Sequence, residues 1–153
     1  MKKGIIGVAG EYFVAAELSQ MGIVATLTLK NTPSIDILAT NLETGKFANI
    51  QVKTMSLTNK QGWRLSKKDE EISSIKNHFY VLANLQDVGK LPEYYVIPQA
   101  KLATLLYKDH REYLAGNNKR KDTAIRIFDP YRRKVQREFG EKYKNNWKIL
   151  GLF

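Results

Sequence analysis

The chain has 153 residues, no cysteine and a formal net charge of +10, so disulfide-stapled folds and thiolate metal sites are excluded. No stretch approaches the ~18 apolar residues of a membrane-spanning helix, and the length suits one domain that buries about 68–70% of its unfolded surface.

The positive charge is unevenly spread. Residues 1–117 carry 14 Lys and Arg against 11 Asp and Glu, a net of +3, whereas residues 118–153 carry 11 against 4, a net of +7. A basic segment attached to a near-neutral body predicts a polyanionic partner, most simply nucleic acid. The alternative interpretation is a solvated surface that keeps the protein soluble. We expect a single domain over 1–153, with a core at 4–98 and the basic part at 118–153.

The first predicted element is a helix over residues 5–21. The opening Met-Lys-Lys and the short apolar run after it faintly resemble a secretion signal, but Glu11 and Glu17 interrupt the run. We therefore expect a helix, no membrane association and a cytoplasmic location. Glu11 shares one helix face with Val14 and Leu18, where an acid rarely stays without a partner. Glu17 lies about 120° around the helix and is the alternative acid.

Three strands should follow this helix. Residues 23–30 are rich in Val, Thr, Ile and Leu, and Asn-Thr-Pro-Ser at 31–34 is a turn signal. Two apolar runs, 35–40 and 47–54, then flank the loop 41–46, which contains Asn and Gly. This pattern predicts a β-hairpin.

The hairpin register brings three polar side chains together. If the six-residue loop closes the hairpin, Asp36 lies opposite Gln51, and Lys53 points to the same face as Gln51. Ile37 and Val52 then point into the core. A carboxylate, an amide and an ammonium on one face of an apolar hairpin are costly unless each is satisfied, which indicates a site. The alternative is an ordinary solvated sheet face.

The rest of the chain alternates between strands and helices. Ser66 followed by Asp69 resembles a capping box that opens a helix, and Pro130 suits the first turn of a later helix. The two histidines, His78 and His110, have no second ligand at metal spacing. In chain order the predicted elements are a loop at 56–62, a strand at 63–65, a helix at 67–77, strands at 79–84 and 94–98, a helix at 99–114, a strand at 125–128 and a helix from 130.

Basic side chains in the C-terminal part are the best predicted phosphate contacts, which position a protein on DNA without specifying sequence. Next to Trp63, Arg64 is a further candidate for cation and aromatic contacts, although an edge-strand role explains it equally well. The predicted nucleic-acid contacts are Lys119, Arg120 and Lys121 in a loop, Arg132, Arg133, Lys134 and Arg137 on the last helix, and Arg64.

The chemistry of the hairpin set favours a divalent metal. The carboxylates of Glu11 and Asp36 and the amide oxygen of Gln51 are hard ligands that suit Mg²⁺, with Mn²⁺ as a substitute. The Val52 carbonyl is a further candidate ligand. A metal there would act as a Lewis acid and lower the pKa of a bound water. Lys53 would orient that water or stabilise developing negative charge.

The motif order resembles a known nuclease superfamily. Gly-Glu-x-x-Val-Ala-Ala-Glu-Leu on the first helix, Ile-Asp on the second strand and Gln-Val-Lys-Thr on the third resemble the PD-(D/E)XK superfamily. The chain looks most like the small bacterial endonucleases associated with group I introns, and archaeal-type junction resolvases are similar in size and layout.

This resemblance implies a restriction-endonuclease-like α/β fold. That fold would have an α-β-β-β core, a central mixed sheet flanked by helices, and a basic helical C-terminal segment. It also implies Mg²⁺-dependent hydrolysis of DNA by a homodimer or homotetramer. It assigns metal binding to Asp36 and Gln51 with help from Glu11, and catalysis to Lys53.

Two departures from the family pattern keep other hypotheses open. Ser34-Ile35 replaces the Pro that commonly precedes the Asp, and Gln51 replaces the commoner acid. A catalytically inactive nucleic-acid-binding module of the same fold is therefore the second hypothesis. A basic interaction protein without a nucleic-acid role is the third, and it predicts no DNA affinity at about 0.15 M salt.

Overall fold

A computed structural model describes residues 2–29 and 32–153. Its elements are α1 (Lys3–Gln20), β1 (Val24–Leu27), β2 (Ile37–Thr40), β3 (Phe47–Met55), β4 (Trp63–Ser66), β5 (His78–Asn84), β6 (Glu93–Pro98), α2 (Gln99–Ala115), β7 (Ile125–Phe128) and α3 (Lys134–Glu141). The strands form a five-stranded mixed sheet of order β1-β2-β3-β5-β6 and a two-stranded sheet of β4 and β7. The β3–β5 pair is parallel and the other pairs are antiparallel.

Helix α1 ends in a glycine-capped turn that returns the chain to the sheet. Gly22 has φ +77°, and its N–H donates to the Ser19 carbonyl at 3.0 Å. The Ile23 N–H donates to the Leu18 carbonyl, also at 3.0 Å, which completes the Schellman pattern. Leu18 and Ile23 are both buried, so the cap itself is part of the core.

Close packing of α1 on β3 depends on one glycine. A Cβ on Gly10 would lie 1.9 Å from the Thr54 Oγ1, which no side chain tolerates. The missing Cβ lets the helix backbone approach the strand, with Val14 and Leu18 fully buried between them. Glu11 is therefore carried close to the C-terminal half of β3.

Each face of the large sheet has its own core. The α1 face buries Ile37, Ile50 and Val52 together with Leu150 and Leu152 from the C-terminus. The opposite face packs on α2 and the small sheet, and its buried members include Trp63, Leu82, Ile97, Leu102, Phe128 and Tyr143. The basic C-terminal part therefore contributes side chains to both cores.

Helix α2 and the small sheet cover only part of their face of the large sheet and leave the rest exposed to solvent. Leu38 on β2 and Phe47 on β3 point away from α1, and they are 42% and 45% exposed. Side chains at Asp36, Asn49 and Gln51 share that face because strand side chains alternate. The open face therefore begins beside the polar residues of the hairpin. No helix in the described part of the chain is long and apolar enough to span a membrane.

The predicted helix at 67–77 is wrong beyond its first turn. The Ser66–Asp69 capping box is present, but only Lys67–Glu70 is helical, as a 3₁₀ turn. The buried Gln99 side chain accepts from the Ser73 N–H at 2.9 Å and donates to the Glu71 carbonyl at 2.7 Å. A side chain distant in sequence thus binds the backbone of the following segment, which is not helical.

Two other predicted elements have different bounds. The last helix begins at Lys134 rather than Pro130, because a turn precedes it in which the Asp129 carbonyl accepts from the Arg133 N–H at 3.1 Å. Arg132 and Arg133 therefore precede the helix, and the C-terminal part is less helical than predicted. The strand predicted at 23–30 spans 24–27, while Lys30 and the turn residue Asn31 lie outside the described residues.

Candidate active site

The hairpin has the predicted register. Ile37 pairs with Ile50, and the Asp36 N–H donates to the Ile50 carbonyl at 2.8 Å, so Asp36 lies opposite Gln51. Ile37 and Val52 are buried against α1. Asp36, Gln51 and Lys53 lie on the other face and are half-buried. The predicted grouping of these three residues on one face is confirmed.

The Asp36 carboxylate is fixed by the backbone of the neighbouring strand. Its Oδ2 accepts a hydrogen bond of 2.7 Å from the Val52 N–H. The N–H and C=O of a strand residue point to the same side, and Val52 follows Ile50 by two residues, so its carbonyl also faces β2. Because β2 begins only at Ile37, the Asp36 side chain takes the place of a backbone acceptor. The Asp36 carboxylate and the Val52 carbonyl therefore lie close together where β2 and β3 diverge.

Two aromatic residues contact the elements that carry this set. Tyr80 is paired in register with Gln51 on the parallel strand, and its hydroxyl donates to the buried Asp69 carboxylate. Burial, Asp69 and then Asp36 raise the pKa of Tyr80, which puts Asp36 within electrostatic reach of that ring. The Trp63 indole N–H donates to the Lys53 carbonyl at 3.1 Å and holds β3 at the lysine.

The two acids of α1 lie on opposite flanks of its buried stripe. Burial first, and then the Glu17 charge, raise the pKa of Tyr94, so Glu17 lies on the β6 side of the sheet. Glu11 is half-buried and about 120° from Glu17 around the helix. The helix period therefore places Glu11 on the flank away from Tyr94. The choice of Glu11 over Glu17 as the α1 acid of the site stays a prediction.

The donor set is made of oxygens from different parts of the chain. Within residues 2–29 and 32–153, no group of three or more His, Cys, Asp or Glu side chains is placed to hold a metal. The predicted ligands are instead two carboxylates, one amide and one backbone carbonyl. Hard oxygen donors of this kind fit Mg²⁺ or Mn²⁺, and metal binding by Glu11, Asp36, Gln51 and the Val52 carbonyl stays a prediction.

The comparisons with known proteins identify the fold. No protein-family model matches the sequence, and a search of curated proteins gives no match. Among solved structures, the chain resembles a bacterial homing endonuclease, I-Ssp6803I, with a TM-score of 0.59 at 15% identity. The likeness covers 98% of this chain and 93% of that one. The fold is homing-endonuclease-like.

On this homing-endonuclease-like fold, several predicted phosphate contacts are engaged within the protein. Arg132 contacts the buried Asp129 carboxylate at 2.6 Å, and Arg133 contacts Asp109 at 2.9 Å. Arg120 donates to the Tyr113 carbonyl at 2.7 Å and lies over its ring. The Arg137 guanidinium donates to the carbonyls of Pro130 and Tyr131, and Lys134 lies 3.8 Å from Glu138. Lys119, Lys121 and Arg64 are exposed.

Sequence reasoning missed a buried ionic network near β7. The Arg126 Nε lies 2.6 Å from the Glu70 Oε2, and the hydrogen bond from Arg126 holds the pKa of Glu70 below its usual value. Asp122 contacts Arg126 and His110, and the bond from His110 lowers the pKa of Asp122 to about 2. The sequence signal that could have revealed this network is Arg126, an arginine at an inward position of the apolar strand β7.

Proposed function

We propose that this chain is a Mg²⁺-dependent DNA endonuclease of the PD-(D/E)XK type that hydrolyses phosphodiester bonds. One observation carries the proposal: the Asp36 carboxylate is held 2.7 Å from the Val52 N–H, with Gln51 and Lys53 on the same half-buried face. The homing-endonuclease-like fold supports it, because the helix and strands carry the motif in the order of that superfamily.

Each residue has a distinct role in this proposal. Asp36 and Gln51 hold the metal with the Val52 carbonyl, and Glu11 assists from α1. The bound ion would supply Lewis-acid chemistry at the scissile phosphate. The hydrogen bond from Val52 fixes the Asp36 carboxylate for that task, as partners of ligating groups commonly do. Lys53 holds a positive charge beside the site, where it orients water or stabilises charge on the phosphate oxygens.

The Gln51 amide adds an oxygen without adding negative charge. We expect weaker metal affinity than an acid would give, and less repulsion of the phosphate backbone. DNA would approach over the open face beside β2 and β3. The exposed cations of the C-terminal part, Lys119 and Lys121 among them, would then contact backbone phosphates. Cutting both strands needs two active sites or two visits by one site, and we expect two sites in a homodimer or homotetramer.

Plasmid and junction cleavage tests the proposal. Wild type, Asp36→Asn and Lys53→Met would be incubated with supercoiled plasmid, linear duplex and four-way junctions, in Mg²⁺, Mn²⁺ or EDTA. We expect metal-dependent cutting by wild type and losses of at least about 10³-fold in both variants, because the metal and the ammonium act on transition-state charge. Asp36→Asn keeps an acceptor for the Val52 N–H, so its thermal melt should stay close to wild type.

Helix α1 offers a matched pair of control variants. Glu11→Gln should reduce cleavage, whereas Glu17→Gln on the β6 flank should not. Retained cleavage by pure, folded Asp36→Asn protein would overturn the proposal.

A catalytically inactive DNA-binding module is the second candidate function. It is favoured by Gln51 in the place of an acid and by the absence, among the described residues, of a three-acid metal cluster. It predicts salt-dependent DNA binding with no cutting of any substrate in either metal. It also predicts that neutralising Arg132 and Arg133 weakens binding strongly.

A further inference from the structure

His78 lies at the start of β5, directly beside the proposed site. It pairs in register with Asn49 of β3, and its ring stacks on Tyr80 with 5.9 Å between centroids. The side chain is buried at 8% exposure. Its Nε2 lies 3.0 Å from the Ser34 carbonyl oxygen, two residues before Asp36. The ring thus connects the parallel strand to the turn that carries the proposed metal ligand.

The hydrogen bond fixes which ring nitrogen carries the proton. A carbonyl oxygen can only accept, so the Nε2–H of His78 donates and the Nδ1 keeps its lone pair. That Nδ1 is buried and has no hydrogen-bond partner among the described residues. Burial lowers the pKa of His78. The ring is therefore a neutral donor in a single tautomer, which suits a fixed contact.

The turn that His78 contacts has an unfavourable backbone conformation. Ser34 has φ +60°, a left-handed value that residues with a Cβ adopt at a cost. From the β1 side, the Thr28 hydroxyl donates to the Ile35 carbonyl at 2.7 Å, and its N–H donates to the Asp36 carbonyl at 2.9 Å. From the β5 side, His78 holds the Ser34 carbonyl. The residues before Asp36 are thus hydrogen-bonded from both the β1 and the β5 sides.

We propose that His78 is a positioning residue for the active site: its Nε2–H fixes the Ser34 carbonyl, and thereby sets the Asp36 carboxylate against the Val52 N–H for metal binding. The inference deepens the endonuclease proposal and rests on it for its function. It does not assign His78 as a metal ligand or as a proton carrier. The donated hydrogen bond, rather than the aromatic ring, is what the site needs.

Three substitutions separate the hydrogen bond from general packing. His78→Phe keeps a ring on Tyr80 but has no donor, whereas His78→Gln places an amide N–H near the position of Nε2. His110→Phe is the matched control, because His110 is also buried, also bonds through Nε2 and also stacks on a tyrosine. His110 contacts Asp122 rather than the hairpin, so its loss tests stability alone.

Two measurements report the geometry and the metal affinity of the site without a DNA-cleavage assay. The ¹H–¹⁵N resonance of the Val52 amide reports its hydrogen bond to Asp36, and Mn²⁺ affinity by electron paramagnetic resonance reports the ligand set. We expect His78→Phe to shift the Val52 amide proton upfield and to weaken Mn²⁺ binding by about 10–100-fold, as loss of a supporting hydrogen bond commonly does. His78→Gln should restore most of both signals, and His110→Phe should change neither. Cleavage rates should follow Mn²⁺ affinity.

Each outcome decides the proposal. If His78→Phe matches His110→Phe in both signals, or if His78→Gln is as impaired as His78→Phe, the inference is wrong. If His78→Phe does not fold, His78→Met, which also lacks a donor, takes its place. A wild type that binds Mn²⁺ through Asp36 but cuts no DNA would end the endonuclease proposal, while the Val52 resonance would still decide the role of His78.

Discussion

Two charged clusters in this molecule differ in burial and in how their charges are paired. The Arg126 and Glu70 side chains are 1% and 6% exposed, meet at 2.6 Å and are joined by Asp122 and Arg111. At the hairpin, Asp36 and Lys53 are half-buried, and none of the ion pairs between described residues involves either one.

The two clusters differ in whether their charges are paired within the described part of the chain. In the first cluster every charge has its partner inside the protein, so the cluster is structural. In the second cluster, one oxygen of the Asp36 carboxylate accepts a hydrogen bond from the Val52 N–H. The Lys53 ammonium lies on the same face as this carboxylate. In the proposed function, a metal at Asp36 and a phosphate at Lys53 would be the partners of these two charges. The predictions below test this contrast, from the largest expected effect to the smallest.

The largest expected effect is on stability at the buried cluster. Arg126→Met should lower the free energy of unfolding by about 3–5 kcal/mol, because it leaves the Glu70 charge buried without its main partner. Lys53→Met should change stability by less than about 1 kcal/mol, within the range of a side chain that is not in a buried network. Urea denaturation of both variants measures the difference, and equal losses would contradict the contrast.

The same cluster gives stability a pH dependence with a definite sign. The hydrogen bond from Arg126 lowers the folded-state pKa of Glu70 from 4.5, so its stabilisation is present above pH 4.5 and is lost as the pH falls through the folded pKa. The difference in unfolding free energy between wild type and Glu70→Gln should therefore be smaller at pH 3 than at pH 6. A difference that stays constant between those pH values would count against this account.

A smaller effect should come from the contact that brings α1 to the site. Gly10→Ala would place its Cβ against Thr54, and it should destabilise the protein by about 1–3 kcal/mol, as overpacking does. It should also reduce cleavage, because the clash displaces Glu11. Gly7→Ala is the control: a Cβ there meets nothing within 4 Å, and the variant should be stabilised by about 0.5–1 kcal/mol. Thermal melts of both variants measure these two changes in stability.

The smallest effect should appear in the salt dependence of DNA binding. Each of Lys119→Gln and Lys121→Gln should reduce the magnitude of the slope of log K for DNA binding against log salt concentration by about 0.9. Stability should be unchanged, because these side chains are exposed. Arg132→Gln should lower both binding and stability, because Arg132 also holds the buried Asp129. Fluorescence anisotropy at several salt concentrations, with melts alongside, separates the two classes.

Local signals in the sequence predicted the elements that local physics controls. The turn residues at 41–46 and the alternation around them are enough to place Asp36 opposite Gln51. The helix predicted at 67–77 failed because Gln99, distant in sequence, binds the backbone at Glu71 and Ser73. No local pattern carries that information.

By itself, then, the sequence determined which side chains share a strand face and which lie on the buried stripe of a helix, since those depend on the strand and helix repeats. Only the tertiary structure decided that β5 lies parallel beside β3, which brings His78 and Tyr80 to the hairpin. It also decided that Glu17 lies near Tyr94 of β6, and that Arg132 and Arg133 are partly engaged by Asp129 and Asp109. These depend on strand order and on long-range pairing, which the packing of the whole chain selects.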